Sequence, residues 1–476
     1  MIDCCTISGK PNGRYDLAVI GAGSAGFSAA IAGAELGAHV ALIGHGTIGG
    51  TCVNIGCVPS KTLIRATETL HQASAAGRFA GIRAAGRIED WAATVRQKDE
   101  LVSSLRQKKY VDLLPSYNTV AYLEGQARLT VEGLAVNSSA VQAGKVIIAT
   151  GAAPALPPIP GIDGVRHLTS TTALELERLP KSLLVIGSGY IGCELGQMFA
   201  RAGVTVTIAF RSRLLPDAEP EISEALAGYF RSEGIIVRSG LSYREIRQEP
   251  DGIALSALVG GVAETIRAEQ VLVATGRRPN TEGMGLAEAG VALLPGGGIK
   301  VDDRMRTSRP GVYAAGDVTG RDEFVYMAAY GARIAAENAL NGDSKRYDAS
   351  AMPAVVFTDP QVASVGLTEA EARRQGLQAK SSVLPLDYVA RAVAARDTRG
   401  LIKLVADARS GKLLGAHILA PEGADSIQTA ALAIKCGLTV EELAETIFPY
   451  LTTVEGLKLA AQGFTKDVAR LSCCAG

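Results

Sequence analysis

A short apolar strand, Tyr15–Ile20, runs straight into Gly21-Ala22-Gly23-Ser24-Ala25-Gly26 and then into a helix of small residues reaching about Gly37. With the strand His39–Ile43 this makes a βαβ unit, and the glycine spacing restricts what such a unit can be. The first glycine allows a tight turn, the second lets a pyrophosphate meet bare backbone, and the third lets the helix pack closely on the strand. One occurrence would be a weak signal. It recurs at Ser182–Ile186, Gly187-Ser188-Gly189-Tyr190-Ile191-Gly192, a helix to Ala202 and the strand Val204–Ala209. Two dinucleotides are therefore expected.

Each unit closes on a similar phrase, Val146-Ile147-Ile148-Ala149-Thr150-Gly151 in one and Val271-Leu272-Val273-Ala274-Thr275-Gly276 in the other, so an internal duplication is expected. The 476 residues suit about three domains. Pro-rich residues 154–160 mark the crossing out of the first unit, and Arg277-Arg278-Pro279-Asn280 marks the return. The predicted order is a loose tail at 1–14, a dinucleotide-binding domain at 15–155, a second one at 156–280 inserted in the first, the remainder of the first at 281–350, and a C-terminal domain at 351–476. In that last part strands such as Leu401–Val405 and Leu413–Leu419 alternate with helices at 422–437 and 440–447, which predicts an antiparallel sheet flanked by helices. The fold class is α/β with a C-terminal α+β domain.

Lys plus Arg and Asp plus Glu each number 48, so no overall field points to nucleic acid or to a membrane surface. The uncharged run Leu17–Ala34 has the length of a spanning helix, but its glycines and serines divide it into strand, turn and helix. No basic segment with an apolar h-region precedes it, so the expectation is a cytoplasmic protein with no membrane insertion and a small-molecule or metal-ion partner. Eight unevenly placed cysteines do not resemble a secreted disulfide framework; reactive or metal-binding thiols are the better reading. Cys4 and Cys5 fall in the tail. Cys193 and Cys436 fall in helices and are expected to pack in the core.

Directly after the first fingerprint, Gly49-Gly50-Thr51-Cys52-Val53-Asn54-Ile55-Gly56-Cys57-Val58-Pro59-Ser60-Lys61 carries two cysteines with four residues between them. Such a pair can form a disulfide that two electrons open, and reduced it is a soft ligand set able to hold Hg(II). At the far end Cys473 and Cys474 are adjacent. A trans peptide holds their Cα atoms about 3.8 Å apart, short of the roughly 5.5–6 Å that disulfides prefer, so they suit metal capture better than a mutual bridge. After the second unit's strand, where an acidic residue would bind the ribose of NAD, the chain has Ala209-Phe210-Arg211-Ser212-Arg213. Arg211 and Arg213 favour NADPH through charge-assisted bonds to its 2′-phosphate.

With both fingerprints, the Cys-x4-Cys segment, the two Ala-Thr-Gly phrases and Tyr313-Ala314-Ala315-Gly316-Asp317 in this order, residues 15–476 resemble the pyridine nucleotide–disulfide oxidoreductases. The resemblance implies a glutathione reductase-like fold, FAD at the first fingerprint, a nicotinamide at the second, and a homodimer whose C-terminal domains complete shared active sites. It places FAD contacts at Gly21, Gly23, Gly26, Gly50, Thr51, Lys61, Thr150, Gly151 and Asp317, and nicotinamide contacts at Gly187, Gly189, Gly192, Arg211, Arg213 and Gly276. Cys57 is the thiol against the flavin and Cys52 the outer one that meets substrate. Lys61 stands near the flavin N5 with Glu194 as its partner. Tyr190 is a candidate to cover the nicotinamide pocket or to face the metal, with a packing role also open. Cys473 and Cys474 are sent to the partner subunit's active site.

Two positions depart from that pattern. Members that reduce organic disulfides supply His followed by Pro near the C-terminus, oriented by a Glu; here the position is Tyr450, with Glu455 five residues on, and no histidine follows His417. A phenol with a reference pKa near about 10 is a poor base at neutral pH, which argues against lipoamide or glutathione disulfide as substrate. Where the family has a Glu for the adenosine ribose of FAD, this chain has Gly44 followed by His45. The reading is NADPH-driven, FAD-dependent reduction of Hg(II) to Hg(0). Its alternatives are a disulfide reductase of the dihydrolipoamide dehydrogenase type and a non-catalytic metal-sequestering protein.

Overall fold

The computed structural model describes residues 13–470, which group into two compact units. The first comprises residues to 62, 93–155 and 276–348; the second comprises 63–92, 156–275 and 349 onward. Cys4, Cys5, Cys473 and Cys474 lie outside the described residues.

The first unit is built on a seven-stranded sheet whose central strands are parallel, in the order Val120–Glu124, Val40–Gly44, Arg14–Ile20, Ser139–Ile148, with Val312–Ala314 also paired to the last of these. Leu134–Val136 and Ala127–Leu129 extend it antiparallel. Strands buried on both faces read as continuous apolar runs, and Leu17, Ala18 and Val19 are fully buried. One face is covered by Ser24–Glu35 and Val325–Asn341, which meet through Ala29, Ala30, Ala32, Ala328, Ala332, Ala335, Ala336 and Ala339. A methyl on Gly33 would lie 3.0 Å from Val40 and 3.1 Å from Leu17, so small residues set how closely helix and sheet approach.

The second unit holds a four-stranded parallel sheet in the order Ile236–Arg238, Thr205–Ala209, Ser182–Ile186, Gln270–Val273, with Tyr190–Arg201 following the central strand. A three-stranded antiparallel sheet, Leu241–Glu249, Gly252–Val259 and Val262–Ala268, shares its apolar core. The residues after 350 form the expected antiparallel sheet, five strands in the order Pro353–Val356, Gln361–Gly366, Leu413–Ala420, Leu401–Asp407, Ala379–Pro385. Helices Gly423–Cys436 and Glu455–Gln462 bury their apolar stripes in its core.

One core assignment needs correction. Cys193 is fully buried, its thiol 3.4 Å from the Ser188 carbonyl, but Cys436 is exposed. It is the last residue of Gly423–Cys436 and stands nine positions beyond the buried Ile427. At about 100° per residue that is the opposite side of the helix.

Candidate functional site

The first fingerprint folds as a cradle of bare backbone. Gly21 has φ +116°, and a Cβ there would lie 2.2 Å from the Ala149 carbonyl oxygen; one on Gly26 would lie 1.7 Å from the Gly21 oxygen. The turn is tied down by Gly21 N donating to Ile43 O at 2.7 Å and Ala149 N to Ile20 O at 2.7 Å. Gly23 begins the helix Ser24–Glu35 without a capping side chain, so the first turn offers its N–H groups to an anion. This cradle fits the pyrophosphate of a dinucleotide. The second fingerprint repeats it: Gly187 has φ +120°, its Cβ would meet the Ala274 oxygen at 2.2 Å, and Gly187 N donates to Ala209 O at 3.0 Å. Gly189 has open space around it.

The cysteine segment is pinned onto the first cradle. Gly49 N donates to Ala22 O at 2.9 Å, and a Cβ on Gly50 would lie 2.5 Å from the Gly23 Cα. Two glycines with positive φ make that backbone-to-backbone approach possible. Cys52 then sits in the short helix Gly50–Asn54, and after the break at Ile55 and Gly56, Cys57 opens the long helix Cys57–Ser74. Both are thiols in this structure, Cys52 half-buried and Cys57 exposed. A side-chain hydrogen bond between them, reinforced by burial, holds the Cys52 thiol far above its ordinary range, while the nearby Lys61 ammonium pulls the other way. Thr51 and Lys61 flank the pair along the same two helices.

Three residues at this site gave no local signal in the sequence. Asn54 donates to Ile48 O and Gly50 O, both at 2.9 Å, and accepts from Arg106 at 3.1 Å, which fixes the bend between the two cysteines. Tyr110 packs edge-on against Phe27, with its hydroxyl 3.4 Å from Ser24 Oγ. Burial raises its pKa, and charge on Cys52 and Cys57 raises it further. Arg106 and Tyr110 come from a helix whose end switches to a π turn, Gln107–Val111, a local irregularity often found at functional positions.

Thr150 and Gly151 stand where the chain leaves the first unit's sheet. The Thr150 hydroxyl donates to Asn280 O at 2.8 Å, and Asn280 returns bonds to Thr150 O and Gly151 O, both at 2.9 Å. Ala152–Pro154 and Arg277–Pro279 pair antiparallel beside them, so the outgoing and returning segments are one ribbon that starts at Gly276. Arg277 donates to Ala152 O and lies 3.9 Å from the half-buried Asp317 carboxylate, whose pKa burial raises against the pull of that guanidinium.

In the second unit Tyr190 is 38% exposed at the first position of Tyr190–Arg201, with its pKa raised by burial and by Asp217 and Glu194. Glu194 is buried one turn on and accepts from Phe357 N at 2.9 Å. The two arginines differ. Arg213 donates through Nη2 to Pro216 O at 2.6 Å and Ala218 O at 2.7 Å, whereas Arg211 is exposed near Tyr243. Tyr450 is 49% exposed, and the Glu455 carboxylate accepts from Leu451 N at 3.3 Å. Among the described residues no three His, Cys, Asp or Glu side chains gather as a metal site, and no helix is long and apolar enough to cross a membrane.

A family model described as pyridine nucleotide-disulphide oxidoreductase matches residues 15–335, and the model of its dimerisation domain matches 352–461. The mercuric reductase of Lysinibacillus sphaericus is 49% identical over 468 residues, covering 97% of this chain and 85% of the relative. That of Streptomyces lividans is 48% identical over 469 residues, covering 97% and 98%. Among solved structures, the Cu(II) complex of the HOCl-induced flavoprotein disulfide reductase RclA from Escherichia coli superposes with a TM-score of 0.83 at 29% identity, covering 95% of this chain and 100% of that one. LpdA from Mycobacterium tuberculosis does so with 0.82 at 27%, covering 94% and 100%.

Proposed function

The chain belongs to the pyridine nucleotide–disulphide oxidoreductases, and from that premise we propose that it reduces Hg(II) to elemental mercury with electrons from NADPH, through FAD and the Cys52–Cys57 pair. The observation that carries this reading is the thiol pair itself: two hydrogen-bonded cysteines, backbone-pinned against a dinucleotide cradle. FAD, when bound there, supplies the relay that turns a two-electron hydride donor into a source of electrons for sulfur and metal.

The chain's own residues divide the work. Gly21, Gly23 and Gly26 admit the FAD pyrophosphate to bare backbone, with Gly50, Thr51, Thr150, Gly151, Lys61 and Asp317 around it. Gly187, Gly189, Gly192 and Gly276 do the same for NADPH, and Arg211 reads its 2′-phosphate. Two electrons and two protons convert the Cys52–Cys57 disulfide into the dithiol. Hg(II), arriving as a thiol complex, exchanges its ligands for Cys473 and Cys474 of one subunit and then for Cys52 and Cys57 of the other, each incoming thiol passing its proton to the thiolate it displaces, which leaves as a thiol. Two further electrons reduce the bound cation, and Hg(0), a poor partner for thiolate, leaves. Tyr190 screens the nicotinamide side, and Tyr450 with Glu455 lines the transfer path. A reducing, cytoplasmic setting and a homodimer are part of this reading.

Exposed Tyr450, rather than a base, at the C-terminal position supports a metal over an organic disulfide, since ligand exchange at a metal needs no strong proton acceptor there. NADPH oxidation assayed with Hg(II)–thiol complexes, lipoamide and glutathione disulfide tests it. Turnover confined to the mercury complexes is expected; turnover confined to the disulfides overturns the reading in favour of a disulfide reductase.

A further inference from the structure

In a dinucleotide-binding unit, an acidic side chain beyond the second strand ordinarily hydrogen-bonds the ribose. Here that strand, Val40–Gly44, ends in a glycine followed by the exposed His45. The strand end is firmly placed: Gly21 N of the cradle donates to Ile43 O at 2.7 Å and Gly125 N donates to Gly44 O at 2.8 Å. The space a side chain would need is already taken. A Cβ on Gly44 would lie 2.6 Å from the Tyr122 hydroxyl, 2.9 Å from its Cε2 and 2.7 Å from the Ala22 Cβ. Tyr122 comes from the neighbouring parallel strand Val120–Glu124, where it pairs with Leu42, and its ring packs against the buried cluster beneath the cradle.

We propose that the Tyr122 hydroxyl is the ribose-binding group at the adenosine end of the FAD site, and that residue 44 is glycine because any side chain there would displace it. The proposal rests on FAD occupying the first cradle. A phenol both donates and accepts, so it can pair with a ribose hydroxyl in either sense, and it does so without placing a negative charge near the pyrophosphate. The ring, wedged between Gly44 and the core, fixes the hydroxyl from a different strand than the one that usually supplies the contact.

The test is a cycle between protein and ligand. Apoprotein of the parent, Tyr122→Phe, His45→Ala and Glu124→Gln is titrated with FAD and with its 2′-deoxyadenosine analogue, following flavin fluorescence. The parent is expected to bind FAD about 3–10-fold more tightly than the analogue, the range of one neutral hydrogen bond. Tyr122→Phe should bind FAD weaker by a similar factor and no longer distinguish the two ligands, while the other two variants keep the parent's distinction. Equal binding of both ligands by the parent, or an undiminished distinction in Tyr122→Phe, overturns the proposal. Loss of the distinction in Glu124→Gln or His45→Ala alone moves the contact to that residue. A parent apoprotein that takes up no FAD at all instead refutes the assignment of the cradle.

Discussion

Cys52 and Cys57 stand on two successive helices and are joined by a side-chain hydrogen bond, with the bend between them held by Asn54. That hydrogen bond, with burial, holds the Cys52 thiol well above its ordinary range. Substituting either cysteine by serine is expected to lower Hg(II) turnover by about 100-fold or more, the scale of removing a reacting group, with FAD content unchanged. Flavin absorbance and mercury-dependent NADPH oxidation, measured on the same preparations, check this. Retained turnover in both variants would place the chemistry elsewhere.

The tail is tested through bulk. Cys473→Ala/Cys474→Ala is expected to lose turnover most with Hg(II) bound to bulky thiols and least with small ones, because a large complex needs its ligands exchanged before the metal can pass inward. Steady-state rates across a series of thiol carriers measure it. Unchanged kinetics for every carrier would remove the tail from the mechanism.

Nicotinamide choice separates the two arginines. Arg213 donates to Pro216 O and Ala218 O while Arg211 is exposed, so the proposed phosphate contact falls first on Arg211. Arg211→Ser should reduce the NADPH over NADH preference about 10-fold or more, the range of a charged hydrogen bond. Arg213→Ala should disturb loop stability more than selectivity. Ratios of kcat/KM for the two cofactors decide between them, and equal losses in both variants contradict the assignment.

A buried charge cluster governs stability in the second unit. Lys403, 3% exposed, donates to Glu219 at 3.0 Å and Glu221 at 2.8 Å and lies 3.2 Å from Glu369. Burial works against its charge, but these carboxylates more than offset it and its pKa is raised. Lys403→Met leaves Glu219 buried without its cation and is expected to cost about 3–5 kcal/mol. Adding Glu219→Gln should restore part of that. Denaturant midpoints of the single and double variants check it, and an additive further loss in the double variant would contradict it.

Acid stability should fall in two stages. Burial lowers the pKa of His417 and of His71, so the folded chain prefers the neutral rings. Their contribution is complete above the unfolded value of about 6.5 and is lost as pH falls below it toward the folded values. Asp397 is lowered by Arg399 and Glu369 by Lys403, in each case against a burial effect that raises it. Those contributions are present above about pH 4 and are lost as pH falls through the folded values. Thermal midpoints are expected to hold above pH 7, decline first below about 6.5 and again below about 4, with His417→Gln and His71→Gln flattening the first stage. A single decline below 4 in the unsubstituted chain would contradict it.

Residues that act through backbone were legible in the sequence because their reason is local. Gly21 and Gly187 meet the same carbonyl geometry, at Ala149 and Ala274, in two units whose closing phrases are alike. Side chains that arrive from another strand or helix left no such trace. Tyr122 reaches Gly44 across a parallel register and Tyr110 reaches Ser24 from a helix 86 residues on, and neither spacing announces the contact. Arg211 and Arg213 look alike in sequence and are separated by exposure and by the loop carbonyls of Pro216 and Ala218 that Arg213 meets. A cysteine in a helix reads as a core residue, but half a turn of phase from the buried Ile427 puts Cys436 outside.

In the proposed function the Cys52–Cys57 pair holds Hg(II) where electrons from the flavin can reach it. Purified holoenzyme is given Hg(II) in excess small thiol, NADPH is added, and mercury vapour and NADPH oxidation are recorded together. One Hg(0) released per NADPH consumed is expected, in many turnovers per subunit. Mercury that stays bound in stoichiometric amount, or NADPH consumed without vapour, would contradict it.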